Sequence, residues 1–298
     1  MIQTEADWLT TADPLAMLDF LRGPESIKRY LFDQPIRGYS DKQISDRKAR
    51  LIGCAMCRRF WRLLDEQHCR RLIEYARLYG SITERGLTEP SPDCCHQAIE
   101  LAERSADEPV PAEALNALSE AASTLRHPVS DYCASYGEEV GPFDAEFVAA
   151  GHAAQAVSYA VSKTYNVVFD EPGEAFDSLH LVIDYATKAA ADHEVMGWSP
   201  SEESAARERA AQAELMREIV GNPFLPAAVE PAWLLHNDSQ VLEIAQTIYR
   251  DRAFDRMPEL AAALESAGCT SDEILTHCRQ PTDHVRGCWV LDLLLDQG

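Results

Sequence analysis

Residues 239–278 read SQVLEIAQTIYRDRAFDRMPELAAALESAGCTSDEILTHC, and this stretch decides the fold. Helical periodicity and end signals divide it into helices at Ser239 to Arg252, Met257 to Ala267 and Ser271 to Cys278, with another expected over Asp283 to Asp296. Gly268 is placed to end one of them, because the position after a helix favours the left-handed backbone that glycine adopts freely. Ser271 can then cap the next by accepting a backbone N–H. Turns this short require packed antiparallel neighbours.

The same signals extend upstream. Asp13-Pro14 is an N-cap followed by proline at the first helical position, and Leu15, Leu18 and Leu21 recur at helical spacing until Gly23-Pro24. Helices are expected over Asp41 to Leu64, with Ile44, Leu51, Ile52, Ala55, Phe60 and Leu63 as an apolar face, and over Glu66 to Tyr79, closed by Gly80. Further helices are expected at Cys94 to Ala106, Pro111 to Leu125, Phe143 to Tyr165, Glu174 to His193 and Ser201 to Ile219, where Gly221 and Pro223 supply a stop. Tyr165 to Phe169 has strand propensity but no comparable segment to pair with, so no sheet is expected. The expectation is a single all-α domain over 1–298, an elongated bundle or irregular solenoid-like array of antiparallel helices. A soft division is expected near 86–112, and a compact C-terminal helical subdomain over 222–298.

Composition narrows the function classes. The net charge is −22, yet Arg22 to Arg85 holds 15 Lys/Arg against 8 Asp/Glu. A surface this anionic repels nucleic acid and anionic lipid, and the basic segment is better matched to the acidic remainder or to an acidic protein partner. No run of apolar residues is long enough to span a membrane, and the acidic N-terminus lacks the features of a secretory signal. A cytoplasmic location is therefore expected, where the nine cysteines would stay reduced. Standard catalytic signatures are missing: no Gly-x-Ser-x-Gly elbow, no phosphate-cradling glycine loop, no dinucleotide fingerprint and no His-Glu-x-x-His pair.

The two ends of the chain carry a resemblance. Trp8-Leu9, Asp13-Pro14, Met17-Leu18-Asp19-Phe20-Leu21-Arg22-Gly23 and Cys54-Ala55-Met56-Cys57-Arg58-Arg59-Phe60-Trp61 form one block. Asn222-Pro223-Phe224, Pro231-Ala232-Trp233, Phe254-Asp255-Arg256, Ala267-Gly268-Cys269 and His284-Val285-Arg286-Gly287-Cys288-Trp289 form the other. Together they resemble an uncharacterised bacterial family of helical proteins whose middle is variable and rich in alanine. The resemblance covers a little under half the chain. It implies an all-helical protein and assigns no catalytic residue.

The C-terminal block also concentrates ligand-type side chains. His284 and Cys288 are four residues apart and would share a face of the expected last helix, His277 and Cys278 end the helix before it, and Cys269 lies one helix earlier. These five are the candidate metal ligands, with zinc the ion such residues favour. Against them, the spacing follows no compact zinc-knuckle pattern, and free cysteine commonly packs in cores. Cys54-Ala55-Met56-Cys57 lies inside a helix, away from the helix N-terminus that activates redox pairs, and reads as core. Arg58, Arg59, Arg279 and Arg286 are candidates for holding an anion or a protein partner, although nearby acids could pair with them equally well. The leading expectation is a non-catalytic protein-interaction or regulatory module with no cofactor. The alternative is a metal-binding protein or enzyme built on the C-terminal Cys/His cluster.

Overall fold

The computed structural model describes residues 2–22, 44–78, 82, 88–136, 145–161, 175–192, 202–281 and 283–297. Among them are fourteen α-helices and no strand, so the fold is all-α. In chain order these are α1 (Glu5–Thr10), α2 (Pro14–Arg22), α3 (Asp46–Arg58), α4 (Glu66–Leu78), α5 (Cys94–Asp107), α6 (Ala112–Tyr136) and α7 (Ala145–Val161). There follow α8 (Ala175–Asp192), α9 (Glu202–Val220), α10 (Pro231–Leu235), α11 (Gln240–Asp251), α12 (Met257–Ser266), α13 (Asp272–Arg279) and α14 (Trp289–Leu295). The strand candidate at 165–169, the stop signals at 23–24 and 80, and Trp198 lie outside the described residues.

Local chemistry sets the ends of these helices. Asp13 Oδ1 accepts from the backbone N–H of Leu15 at 3.0 Å and Ala16 at 3.2 Å, which starts α2 where the sequence places it. Ser45 caps α3 by accepting from Lys48 N, and Ser271 caps α13 by accepting from Ile274 N. The helix expected to run to Leu64 stops at Arg58 and continues as a tighter 3-10 turn over Trp61–Leu64. α6 runs eleven residues past the expected Leu125, to Tyr136.

The buried apolar side chains fall into two clusters. The first centres on α7, which packs against α3, α4, α5, α6 and α8. Ala149, Ala150, Ala153, Ala154, Ala156 and Ala160 are all buried there, and side chains this small let five neighbours approach one helix. The second cluster runs from Trp233 to Leu294 and gathers α10 to α14.

A charged seam joins the two clusters. Glu103 and Asp107, one turn apart on α5, both face it. Glu103 accepts from Arg58 on α3 at 2.5 and 2.8 Å and from Arg252 after α11. Asp107 pairs with Arg47 at 2.8 Å and Arg286 at 2.6 Å, and accepts from the Tyr249 hydroxyl at 2.7 Å. Arg47 also grips Asp292 of α14 with two bonds, at 2.7 and 3.0 Å. Fixed guanidinium forks matched to carboxylates on other helices define one docking geometry. Arg58 and Arg286 are therefore engaged within the fold, as is Arg59, which holds Glu208 of α9 at 2.8 Å. Arg279 pairs with Glu265 on the surface.

Candidate metal centre

Glu218, near the end of α9, projects from the first cluster toward α13 and the loop after it. There it meets three ligand-type side chains. His284 Nδ1 lies 3.0 Å from Glu218 Oε1, and His277 Nε2 lies 3.4 Å from Glu218 Oε2. Cys288 Sγ lies 3.2 Å from His277 Nε2. One donor atom from each of the four residues lies within 4.8 Å of the other three. Glu218, His284 and Cys288 are buried and His277 is nearly so.

The helix expected from Asp283 does not begin there. Residues 283–285 have no regular structure, Arg286 and Gly287 form a turn, and α14 starts only at Trp289. His284 and Cys288 therefore meet through a bend and not through a shared helix face. Gly287 makes that bend possible, with φ +91°. It also seats the loop: a Cβ on Gly287 would lie 2.9 Å from Leu51 Cδ1 on α3 and 3.5 Å from Ile219 Cγ2 on α9. Gly221 (φ +76°) ends α9 against the Trp289 ring, and its carbonyl accepts from Trp8 Nε1 at 3.0 Å. Lys48 of α3 donates to Ile219 O at 3.0 Å, placing a cation at the C-terminal end of α9.

Burial acts on each acid in the cluster. It pushes Glu218 up, but the hydrogen bonds from His277 and His284 and the charge those rings can carry outweigh it, leaving Glu218 at about 2. Burial and the Glu218 charge push the Cys288 thiol well above its ordinary value. Trp289 Nε1 donates to His277 Nδ1 at 3.1 Å. Among the described residues nothing meets His284 Nε2, although it is buried.

Of the five residues singled out in the sequence, His277, His284 and Cys288 converge. Cys269 and Cys278 do not join them: both are core residues of the second cluster, and burial lifts the Cys278 thiol to about 12. Cys54 and Cys57 are likewise buried in α3, with thiols raised by burial. Glu218 is the member that sequence reasoning missed, 59 residues before His277. Its signal was faint but present. It shares the buried face of α9 with Leu215 but also with Glu208 and Gln212, so an acid there is unusual for a buried face yet not unique on this one.

No protein-family model, curated protein or solved structure matches this chain. Among the described residues no helix is long and apolar enough to cross a membrane.

A thiolate, a carboxylate and two imidazoles are the donors that zinc and its first-row neighbours accept. Tetrahedral ligands about 2.0–2.3 Å from zinc stand roughly 3.3–3.6 Å from one another. The 3.2 and 3.4 Å contacts of His277 Nε2 are near that spacing. Two anions and two neutral rings also cancel the charge of a divalent ion, which removes most of the penalty for burying it.

Proposed function

We propose that this chain is a non-catalytic metal-binding protein in which Glu218, His277, His284 and Cys288 hold one divalent transition-metal ion, zinc first. What carries the reading is the convergence within 4.8 Å of four donors, three of them buried and His277 nearly so. Four protein ligands fill a tetrahedral shell and leave no position for substrate or water, which is the arrangement of a structural and not a catalytic site.

The ion's work follows from where its ligands come from. Glu218 belongs to α9, while the other three belong to α13 and the loop before α14. Binding ties the C-terminal helices to α9 beside the charged seam. A helical protein held this way acts through the surface it presents, and with a net charge of −22 its partner is a protein and not a nucleic acid.

Purified protein under reducing conditions should carry close to one equivalent of metal by elemental analysis, and should bind Co2+ with a thiolate-to-cobalt charge-transfer band. Cys288→Ser should abolish that band. Less than about a tenth of an equivalent, with no cobalt spectrum on reconstitution, would refute the proposal, since ligand identity and stoichiometry are its checkable content.

A further inference from the structure

A histidine that binds a metal through one ring nitrogen normally donates its other N–H to a carboxylate, a carbonyl or water. His277 is placed the opposite way. Its Nε2 faces Cys288 and Glu218, but its Nδ1 receives the indole N–H of Trp289 at 3.1 Å. Indole nitrogen can only donate, so Nδ1 must present a lone pair and the ring proton must sit on Nε2, inside the cluster.

A metal ion at Nε2 needs the lone pair of that atom, so Nε2 gives up its proton and the neutral bound ring carries its single N–H on Nδ1. Two N–H donors would then face each other across 3.1 Å in a nearly buried place. An unmet buried donor is costly, so the two cannot remain together. His277 is held by its ligand role, and the indole is the group free to leave.

We infer that metal binding at this site is coupled to reorientation of the Trp289 indole away from His277. The inference rests on the metal-site reading above. It makes the site metal-responsive instead of a passive staple, because Trp289 is the first residue of α14 and its ring lies against Gly221. Gly221 O in turn holds Trp8 of α1. Movement of one ring is thereby passed to the end of α9, the start of α14 and the N-terminal helix.

The test uses the full-length protein, stripped of metal and titrated with Co2+ and then Zn2+, wild type beside Trp289→Phe. The cobalt charge-transfer band reports ligation without reference to tryptophan. The wild-type emission should change in step with that band, the change should vanish in Trp289→Phe, and the variant should bind about tenfold tighter, the equivalent of one relieved donor conflict. If both proteins bind cobalt with equal affinity and wild-type emission does not move, the coupling is refuted while the site stands. If neither binds cobalt, the site itself fails and takes the inference with it. Should Trp289→Phe not fold by circular dichroism, 15N-tryptophan labelling of the wild type decides. One of the five indole N–H signals should shift on zinc loading of cobalt-competent protein, and an unchanged set overturns the coupling.

Discussion

Replacing Arg47 with Met should loosen the C-terminal helices from the rest of the fold. The Arg47 side chain is 13% exposed and makes a two-pronged bond to Asp292, which is 2% exposed, as well as bonds to Asp107 and the Tyr249 hydroxyl. Methionine keeps most of the apolar stem, so the loss is mainly of charge and hydrogen bonds. Removing one partner of a buried pair leaves the other uncompensated, at about 3–5 kcal/mol. Lys48 lies close enough to favour the Asp292 charge, which puts the expected loss at the lower end of that range. In a chain of this size that corresponds to roughly 6–12 °C in melting temperature, read by far-UV circular dichroism with chelator present so that metal does not contribute. Asp292→Asn added to Arg47→Met removes the stranded charge, so the double variant should be more stable than Arg47→Met alone. A loss below about 1 kcal/mol, the size of a surface ion pair, would refute the buried-seam account. So would strict additivity of the two substitutions.

Gly287→Ala forces a side chain into a left-handed backbone and against Leu51. It should cost about 1–3 kcal/mol and weaken cobalt affinity at least tenfold, because the bend that delivers His284 and Cys288 must shift; unchanged affinity would show that the bend does not position the ligands. Glu103→Gln should cost about 2 kcal/mol at neutral pH by leaving Arg58 and Arg252 against a neutral amide. Burial pushes the Glu103 carboxyl up, but Arg58 and then Arg252 pull it below its ordinary 4.5. A depressed folded value means stabilisation that is complete above 4.5 and lost as pH falls through the lower value. Urea midpoints of wild type and Glu103→Gln should therefore converge below about pH 4.5, and a constant gap down to pH 3 would contradict the assignment.

The helices were legible because their ends are written in side chains that act locally. Asp13, Ser45 and Ser271 accept from backbone N–H groups two or three residues away, and Gly221 and Gly268 turn the chain just past a helix. Such signals survive without knowledge of the tertiary fold. The last helix failed for a related reason. The mostly apolar run Cys288 to Leu295 suggests a helix reaching back to Asp283, but Gly287 packs against Leu51 and Ile219, and only distant partners can require that bend. Long-range pairing was equally hidden for the arginines. Arg58 meets Glu103 across 45 residues and Arg47 meets Asp292 across 245, so the sequence could say that pairing was available but not with whom.

Glu218 is set apart by how the protein treats its other buried acids. Four carboxylates are buried among the described residues: Glu103, Glu208, Glu218 and Asp292. Arg58 and Arg252 compensate the first, Arg59 the second and Arg47 the fourth. Glu218 faces two histidines and a thiol, with no arginine or lysine among its described ion pairs. If it is there only to hold the histidines, Glu218→Gln should destabilise metal-free and metal-loaded protein alike. If it is there for a cation, the two states should separate. Without metal, removing a carboxylate held by His277 and His284 should cost about 1–3 kcal/mol. With metal at about 1,000 times its dissociation constant, wild type should gain about 4 kcal/mol. The variant should forfeit at least about 1.4–2.7 kcal/mol of that, the equivalent of a 10- to 100-fold loss of affinity. Chemical denaturation of both proteins with zinc and with chelator measures all four values, and equal losses in the two conditions would leave Glu218 as a hydrogen-bond partner and nothing more.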